Sequence, residues 1–333
     1  MEHAHPPILP ALIAVGVALF ARSGDRKPVI TLEGETSGPL LGAAFAADGP
    51  VLAVIDGSPE CTEPRAPCRA ILRIERVAGN GVVQEGRFVL DRREDLPKVA
   101  LRGELAATYH PRGLLEVYKR RASTWTRVAR LEAPRACTNF AWASVHLGTD
   151  FIVLDTPDTA CIFVARRDSW ILEQKISHPS DVFPAVADDV LFLVSADGVV
   201  AYQRSRGTWK GTQVVRSASS RMRSIAVSER WLVIAEQNGD RVEVYDRQRG
   251  YAAHATLPSR YAWSVSVTAD TLVVTGFGSR AWRFDGTTWS DQTNLEHWER
   301  SGSGGNAIGT KIWIGDPAVD RGQSGYIRGY ELP

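Results

Sequence analysis

Polar and apolar side chains alternate with period two over much of the chain, as in Trp170-Ile-Leu-Glu-Gln-Lys-Ile176 and Val242-Glu-Val-Tyr245. Between such runs stand short β-branched stretches such as Leu272-Val-Val-Thr275, bounded by Gly, Asp, Ser and Arg. This pattern predicts strands, some half-buried and some fully buried. No stretch after residue 24 shows the wider spacing of an amphipathic helix.

The strand signals recur in a fixed order. An aromatic anchor follows a short turn at Trp125, Trp170, Trp209, Tyr251 and Trp289, with separations of 45, 39, 42 and 38 residues. Val82 takes the equivalent place 43 residues before Trp125. After each anchor come an alternating strand and a loop. A small-residue strand (Trp263 to Val267), a tight polar turn (Thr268-Ala269-Asp270), a β-branched strand and a second alternating strand complete the unit. A period of about 41 residues is that of a four-stranded propeller blade. Counting units predicts one all-β domain over residues 24–333, a single seven-bladed β-propeller of four-stranded blades. The last unit supplies three strands, so the N-terminal strand Val29 to Leu32 is expected to close the ring, which removes an exposed edge.

The last unit reads Ser303-Gly-Gly-Asn-Ala-Ile-Gly-Thr-Lys-Ile-Trp-Ile-Gly-Asp-Pro317, then Ser324-Gly-Tyr-Ile-Arg-Gly-Tyr-Glu-Leu332. Gly207-Thr208-Trp209 and Thr287-Thr288-Trp289 precede outer strands, and Phe140-Ala-Trp142 and Tyr261-Ala-Trp263 are looser copies of the inner-strand signal. Over roughly residues 81–333 this resembles the FG-GAP repeat of integrin-type β-propellers, in particular the bacterial secreted kind. The resemblance implies adhesion or protein–protein recognition. Many members of that family carry an Asp-x-Asp-x-Asp-Gly calcium loop; the corresponding turns here, such as Gly148-Thr-Asp150 and Ala187-Asp-Asp189, are too short to supply six oxygens. Asp316 and Asp320 are the remaining metal candidates, two carboxylates in a Gly-rich loop. No cofactor is expected.

Composition adds compartment and charge. Residues Ile8 to Phe20 form a mostly apolar run too short to span a bilayer, followed by Ala21-Arg22-Ser23. That suits a secretory signal over residues 1–23, although Met-Glu-His-Ala-His lacks a basic residue and Pro10 interrupts the run. A secreted, periplasmic or cell-surface location follows, with no membrane span. Four cysteines fit export: Cys61 and Cys68 bracket a Pro-rich hexapeptide, and Cys137 and Cys161 are 24 apart. Two disulfides are expected, because neither a CxxC nor a His at ligand spacing supports zinc. Lys plus Arg is 39 and Asp plus Glu is 38, so bulk charge favours no polyanion. The turns before each anchor, however, hold Arg120, Arg121, Arg166, Arg167 and further basic residues, and all fall on one face of a propeller. That face is a candidate for an anionic polymer or carbohydrate partner.

No nucleophile elbow, phosphate loop or zincin motif is present. The repeated Trp residues read first as inter-blade packing. Trp142, Trp263 and Trp298 stand outside that register, beside the loops entering inner strands, and are the candidate rim aromatics. The sequence therefore supports a non-catalytic binding or scaffold propeller for protein or surface recognition. The alternative is an extracellular propeller enzyme acting on carbohydrate, which needs paired carboxylates in the central funnel.

Overall fold

The computed structural model describes residues 30–33, 44–57, 70–79, 81–90, 97–110, 113–138, 143–167, 169–178, 184–195, 197–216, 222–236, 240–259, 262–276, 279–295, 305–308, 311–316 and 326–331. Side chains are described only within 44–292.

Among the described residues the strands form seven four-stranded antiparallel sheets, the blades of a β-propeller. Strand β1 (Ile30–Glu33) precedes the first sheet. The first blade is β2 (Phe45–Asp48), β3 (Val51–Gly57), β4 (Ala70–Ala78) and β5 (Gly81–Val89). The second is β6 (Lys98–Arg102), β7 (Leu105–His110), β8 (Leu114–Arg121) and β9 (Thr124–Glu132). The third is β10 (Ser144–Leu147), β11 (Phe151–Thr156), β12 (Thr159–Arg166) and β13 (Ser169–Ser177). Next come β14 (Ala185–Ala187), β15 (Val190–Ser195), β16 (Gly198–Ser205) and β17 (Thr208–Arg216). The fifth is β18 (Met222–Val227), β19 (Trp231–Glu236), β20 (Arg241–Asp246) and β21 (Ala252–Pro258). The sixth is β22 (Ala262–Val267), β23 (Thr271–Gly276), β24 (Ser279–Phe284) and β25 (Trp289–Leu295). These six are built from consecutive strands. The remaining sheet is composite: β26 (Gly305–Ile308), β27 (Lys311–Asp316) and β28 (Tyr326–Glu331) take β1 as their outer strand, with Ile30 opposite Gly329 and Glu33 opposite Tyr326. The strand thus includes Ile30 to Leu32 of the expected Val29 to Leu32 and continues to Glu33, while Val29 lies outside the described residues.

The first strand of each blade lies innermost. These inner strands neighbour one another in the order β2, β6, β10, β14, β18, β22, β26 and back to β2. Apolar clusters fill the spaces between consecutive blades, because each buried strand presents one face to each neighbour. Ala53, Ile55, Leu72 and Ile74 of the first blade meet Ala106, Tyr118 and Trp125 of the second. Phe151, Val153 and Ile162 of the third meet Leu191, Leu193 and Trp209 of the fourth. Trp231 of the fifth is fully buried with Phe284 of the sixth, ring centroids 4.9 Å apart, and its indole N–H donates to the Ala269 carbonyl at 2.8 Å. Among the described residues no helix is long and apolar enough to cross a membrane.

The turn chemistry explains the sequence signature before the anchors. Arg206 and Gly207 have φ of +53° and +78°, the left-handed pair a two-residue hairpin requires. Glycine meets that demand without strain, and the anchor Trp209 follows at once.

Cys137 and Cys161 form a disulfide, their Cα atoms 5.9 Å apart. It ties the link between the second and third blades to β12, and the Tyr109 hydroxyl donates to the Cys137 carbonyl at 2.7 Å. Cys61 and Cys68 lie outside the described residues, as does the expected signal segment 1–23.

Candidate functional site: the central funnel and its charged face

Inner strands of six blades surround a central cavity of about 740 Å³, among the described residues. Its wall is set by alternation along these short strands. Val145 and Leu147 point into the inter-blade core, while His146 lines the cavity. Half-buried Ala46, Val99, Val186 and Val227 contribute apolar side chains, while most of the exposed lining is polar and includes His146 and Ser266. The His146 ring nitrogen Nε2 lies 2.7 Å from the Ser144 hydroxyl. Burial holds the imidazole well below its ordinary value, at about 4, so the ring is neutral at physiological pH.

At the mouth the wall ends in charge. Asp48, Asp188 and Glu229 line it together with Arg102. Asp48 accepts from the Gly103 backbone N–H. Arg102 reaches across two blades: Nη1 donates to the Leu147 carbonyl at 3.5 Å and Nη2 to Asp188 Oδ1 at 3.4 Å. Asp188 and Glu229 are exposed.

The turns joining first to second strands and those joining third to fourth strands share one propeller face, since strands alternate direction. The expected basic face is therefore not uniformly basic. Its inner ring of turns carries Asp48, Glu104, Asp150, Asp188, Asp189, Glu229 and Asp270 against Arg102, Arg230 and, at the start of β27, Lys311. The outer ring holds the arginines, and several of these are already paired. Glu85 accepts from Arg120 Nη2 at 2.9 Å and also from Arg76, while Glu173 accepts from Arg204 at 2.5 Å and Arg166 at 3.3 Å. Asp246 pairs with Arg230 at 3.3 Å, and Arg247 donates to the Ser228 and Glu229 carbonyls. Of the four arginines named from sequence, Arg120 and Arg166 thus hold structural carboxylates, and Arg121 and Arg167 stand exposed at the turns.

Trp142 and Trp298 lie outside the described residues, as do the side chain of Trp263, the side chain of Asp316 and all of Asp320. Among the described residues no group of three or more His, Cys, Asp or Glu could hold a metal ion. Val82 is 36% exposed and does not act as a buried anchor, because a valine lacks the reach of an indole across the blade gap. Asp188 is visible in the sequence only beside Asp189 in a tight turn, and its grouping with Asp48 and Glu229 is not, because only the ring brings those turns together.

No family model matches the sequence, and no curated protein matches it. Solved structures do. The chain is similar to Saccharomyces cerevisiae Sqt1, with 8% identity and a TM-score of 0.55 over 93% of this chain and 90% of that one. It is similar to a chain of the mitotic checkpoint complex, with 13% identity and a TM-score of 0.61 over 99% and 97%. Kluyvelomyces marxianus Hsv2 gives 12% identity and a TM-score of 0.58 over 84% and 89%. At these identities the likeness establishes the β-propeller fold alone.

Proposed function

We propose that this protein is a non-catalytic interaction scaffold, a seven-bladed propeller closed by its N-terminal strand, working outside the cytoplasm. The observation that carries the reading is the funnel, where turns from many blades converge on one open cavity. Such a site recognises a partner by shape and charge, as concave, largely preformed pockets do. The buried Cys137–Cys161 disulfide supports an oxidising compartment. Kinship with secreted FG-GAP propellers belongs to the same reading and rests on the repeat signature alone. The test is cross-linking in the native host's envelope and secreted fractions, with wild type beside a Val227→Trp variant that fills the funnel. A specific partner retained by wild type and lost by the variant supports the reading. Partners unaffected by the variant would place recognition elsewhere and remove its basis.

The carbohydrate-enzyme alternative keeps one observation, that Asp188 and Glu229 from adjacent blades both line the funnel. Release of reducing sugar from polysaccharides by the purified protein, lost in Glu229→Gln, would favour it.

A further inference from the structure

We propose that the funnel mouth docks a protein segment presenting one apolar side chain flanked by lysine or arginine. The inference deepens the interaction-scaffold reading and rests on it.

The cavity decides the size and polarity of what enters. A volume of about 740 Å³ accepts a bulky side chain with its neighbouring backbone and excludes a folded domain. The exposed lining is mostly polar, and Ala46, Val99, Val186 and Val227 are the side chains that offer an anchor apolar contact within it. An apolar or aromatic anchor inserted there displaces water from both surfaces, the usual source of binding energy at an interface centre.

The rim decides what flanks the anchor. Three carboxylates, Asp48, Asp188 and Glu229, face one guanidinium, Arg102, so the described rim is net negative. Farther out, the same ring of turns adds Glu104, Asp150, Asp189 and Asp270 against Arg230 and, at the start of β27, Lys311. Asp150 is partly compensated by Arg204 at 3.2 Å. The outer belt opposes this field, since Glu85 is shared by Arg76 and Arg120 and Glu173 by Arg166 and Arg204, but it belongs to the turns of the outer strands, away from the funnel mouth. Arg102 itself leans on Asp188 through a 3.4 Å contact, and the Asp188 side chain is 63% exposed. An exposed pair of that kind contributes little and yields to a better cation. A basic residue beside the anchor would take over Asp188 and meet Glu229, whereas an acidic segment would meet like charge on most of the rim.

Three labelled heptapeptides test this by fluorescence anisotropy with the full-length protein. They are Gly-Lys-Arg-Phe-Lys-Arg-Gly, its charge-reversed form Gly-Glu-Asp-Phe-Glu-Asp-Gly, and the basic peptide with Gly replacing Phe. The basic Phe peptide should bind at least about tenfold tighter than either of the others, and weaken as salt rises from about 50 to about 300 mM. Asp188→Asn combined with Glu229→Lys should lose at least about tenfold of that affinity at an unchanged melting temperature. Val227→Trp should make the Phe and Gly basic peptides equivalent. Equal binding of the basic and acidic peptides, no binding of either, or no effect of the double substitution would overturn the inference. A native partner captured by wild type and lost on Val227→Trp would still uphold the scaffold reading, so the two can fail separately.

Discussion

The Glu85 carboxylate accepts the indole N–H of Trp125 at 3.2 Å across the gap between the first and second blades. Glu85 can do so because it is the extra residue of a β-bulge: Ile74 pairs with Gly86 and Glu75 with Gln84, which leaves it outside the ladder. Glu173 repeats the arrangement between the third and fourth blades. It is bulged out of the β12–β13 ladder and accepts Trp209 Nε1 at 3.0 Å. In both cases an arginine five residues before the tryptophan, Arg120 or Arg204, completes the clip. Between the fifth and sixth blades His254 occupies the bulge and Phe284 the arginine position, and an aromatic cluster with Trp231 and Trp289 replaces the ion pair.

Adjacent arginines should therefore behave differently. Glu85→Ala leaves Arg76, Arg120 and the Trp125 N–H without their acceptor and should cost about 2–4 kcal/mol. Arg120→Ser should cost about 1–2 kcal/mol through the same site. Exposed Arg121→Ser should stay within about 0.5 kcal/mol. Denaturant melts of the three variants check this, and equal effects of Arg120→Ser and Arg121→Ser would contradict the clip.

The same carboxylate sets an acid limit. Burial pushes Glu85 up, but hydrogen bonds from Arg76 and Trp125 and the charges of Arg120 and Arg76 outweigh it and hold it below 4.5. A depressed carboxyl stabilises the fold above its unfolded value and loses that contribution as pH falls through the lower folded value. Stability should fall below about pH 4.5, and Glu85→Gln should show a shallower decline there while being less stable at neutral pH. A Glu85→Gln profile parallel to wild type would exclude this carboxylate as a cause.

Repeat architecture was legible because a strand pattern with one anchor per unit survives substitution: Trp125 and Trp209 are buried between blades as their spacing implied. The bulges were not legible, because a one-residue shift of the ladder leaves no mark on alternation at Glu85 or Glu173. Charge failed for a related reason. Counting Arg120 and Arg166 in their turns as free cations omitted carboxylates supplied by neighbouring outer strands, and overlooked an inner ring of acids on the same face. The funnel wall was illegible in principle, since Val99, Val186 and Val227 are ordinary strand residues whose meeting depends on ring closure.

The Cys137–Cys161 bond closes a loop spanning the second-to-third blade link. Chain entropy assigns such a loop about 3–4 kcal/mol. Cys137→Ser with Cys161→Ser should lower stability by that order, and a reductant should do so only after unfolding, because both residues are fully buried. Alkylation under native and denaturing conditions, with mass spectrometry, measures it. Rapid native-state alkylation after mild reduction would be inconsistent with the burial.

Closure through β1 makes a further demand. Removing residues 24–36 deletes the strand that pairs with β28 and bares its backbone edge. Edge strands without a partner recruit other chains. The deletion should give concentration-dependent association in sedimentation velocity and a lower melting temperature. A monomer that melts like wild type would show that β1 is dispensable.

His146 provides a pH dependence in the neutral to mildly acidic range. Burial lowers its value from 6.5 to about 4 in the folded chain, so between those limits the unfolded state binds a proton the folded state does not. Stability must then rise with pH across that window, being fully present above about 6.5 and lost as pH falls toward 4. The contribution is at most about 3.5 kcal/mol, since one pKa unit corresponds to about 1.4 kcal/mol, and less where the half-buried ring meets water in the funnel. His146→Asn keeps a hydrogen-bonding partner for the Ser144 hydroxyl and removes the titration. The variant should lose less stability than wild type between pH 6.5 and 5, while the buried Asp155–His178 pair and any Glu85-linked decline below pH 4.5 remain in both. Urea midpoints collected through that range for both proteins decide it. A wild-type profile flat from 6.5 to 5 would mean that water in the funnel reaches the imidazole and that its burial does not govern its protonation.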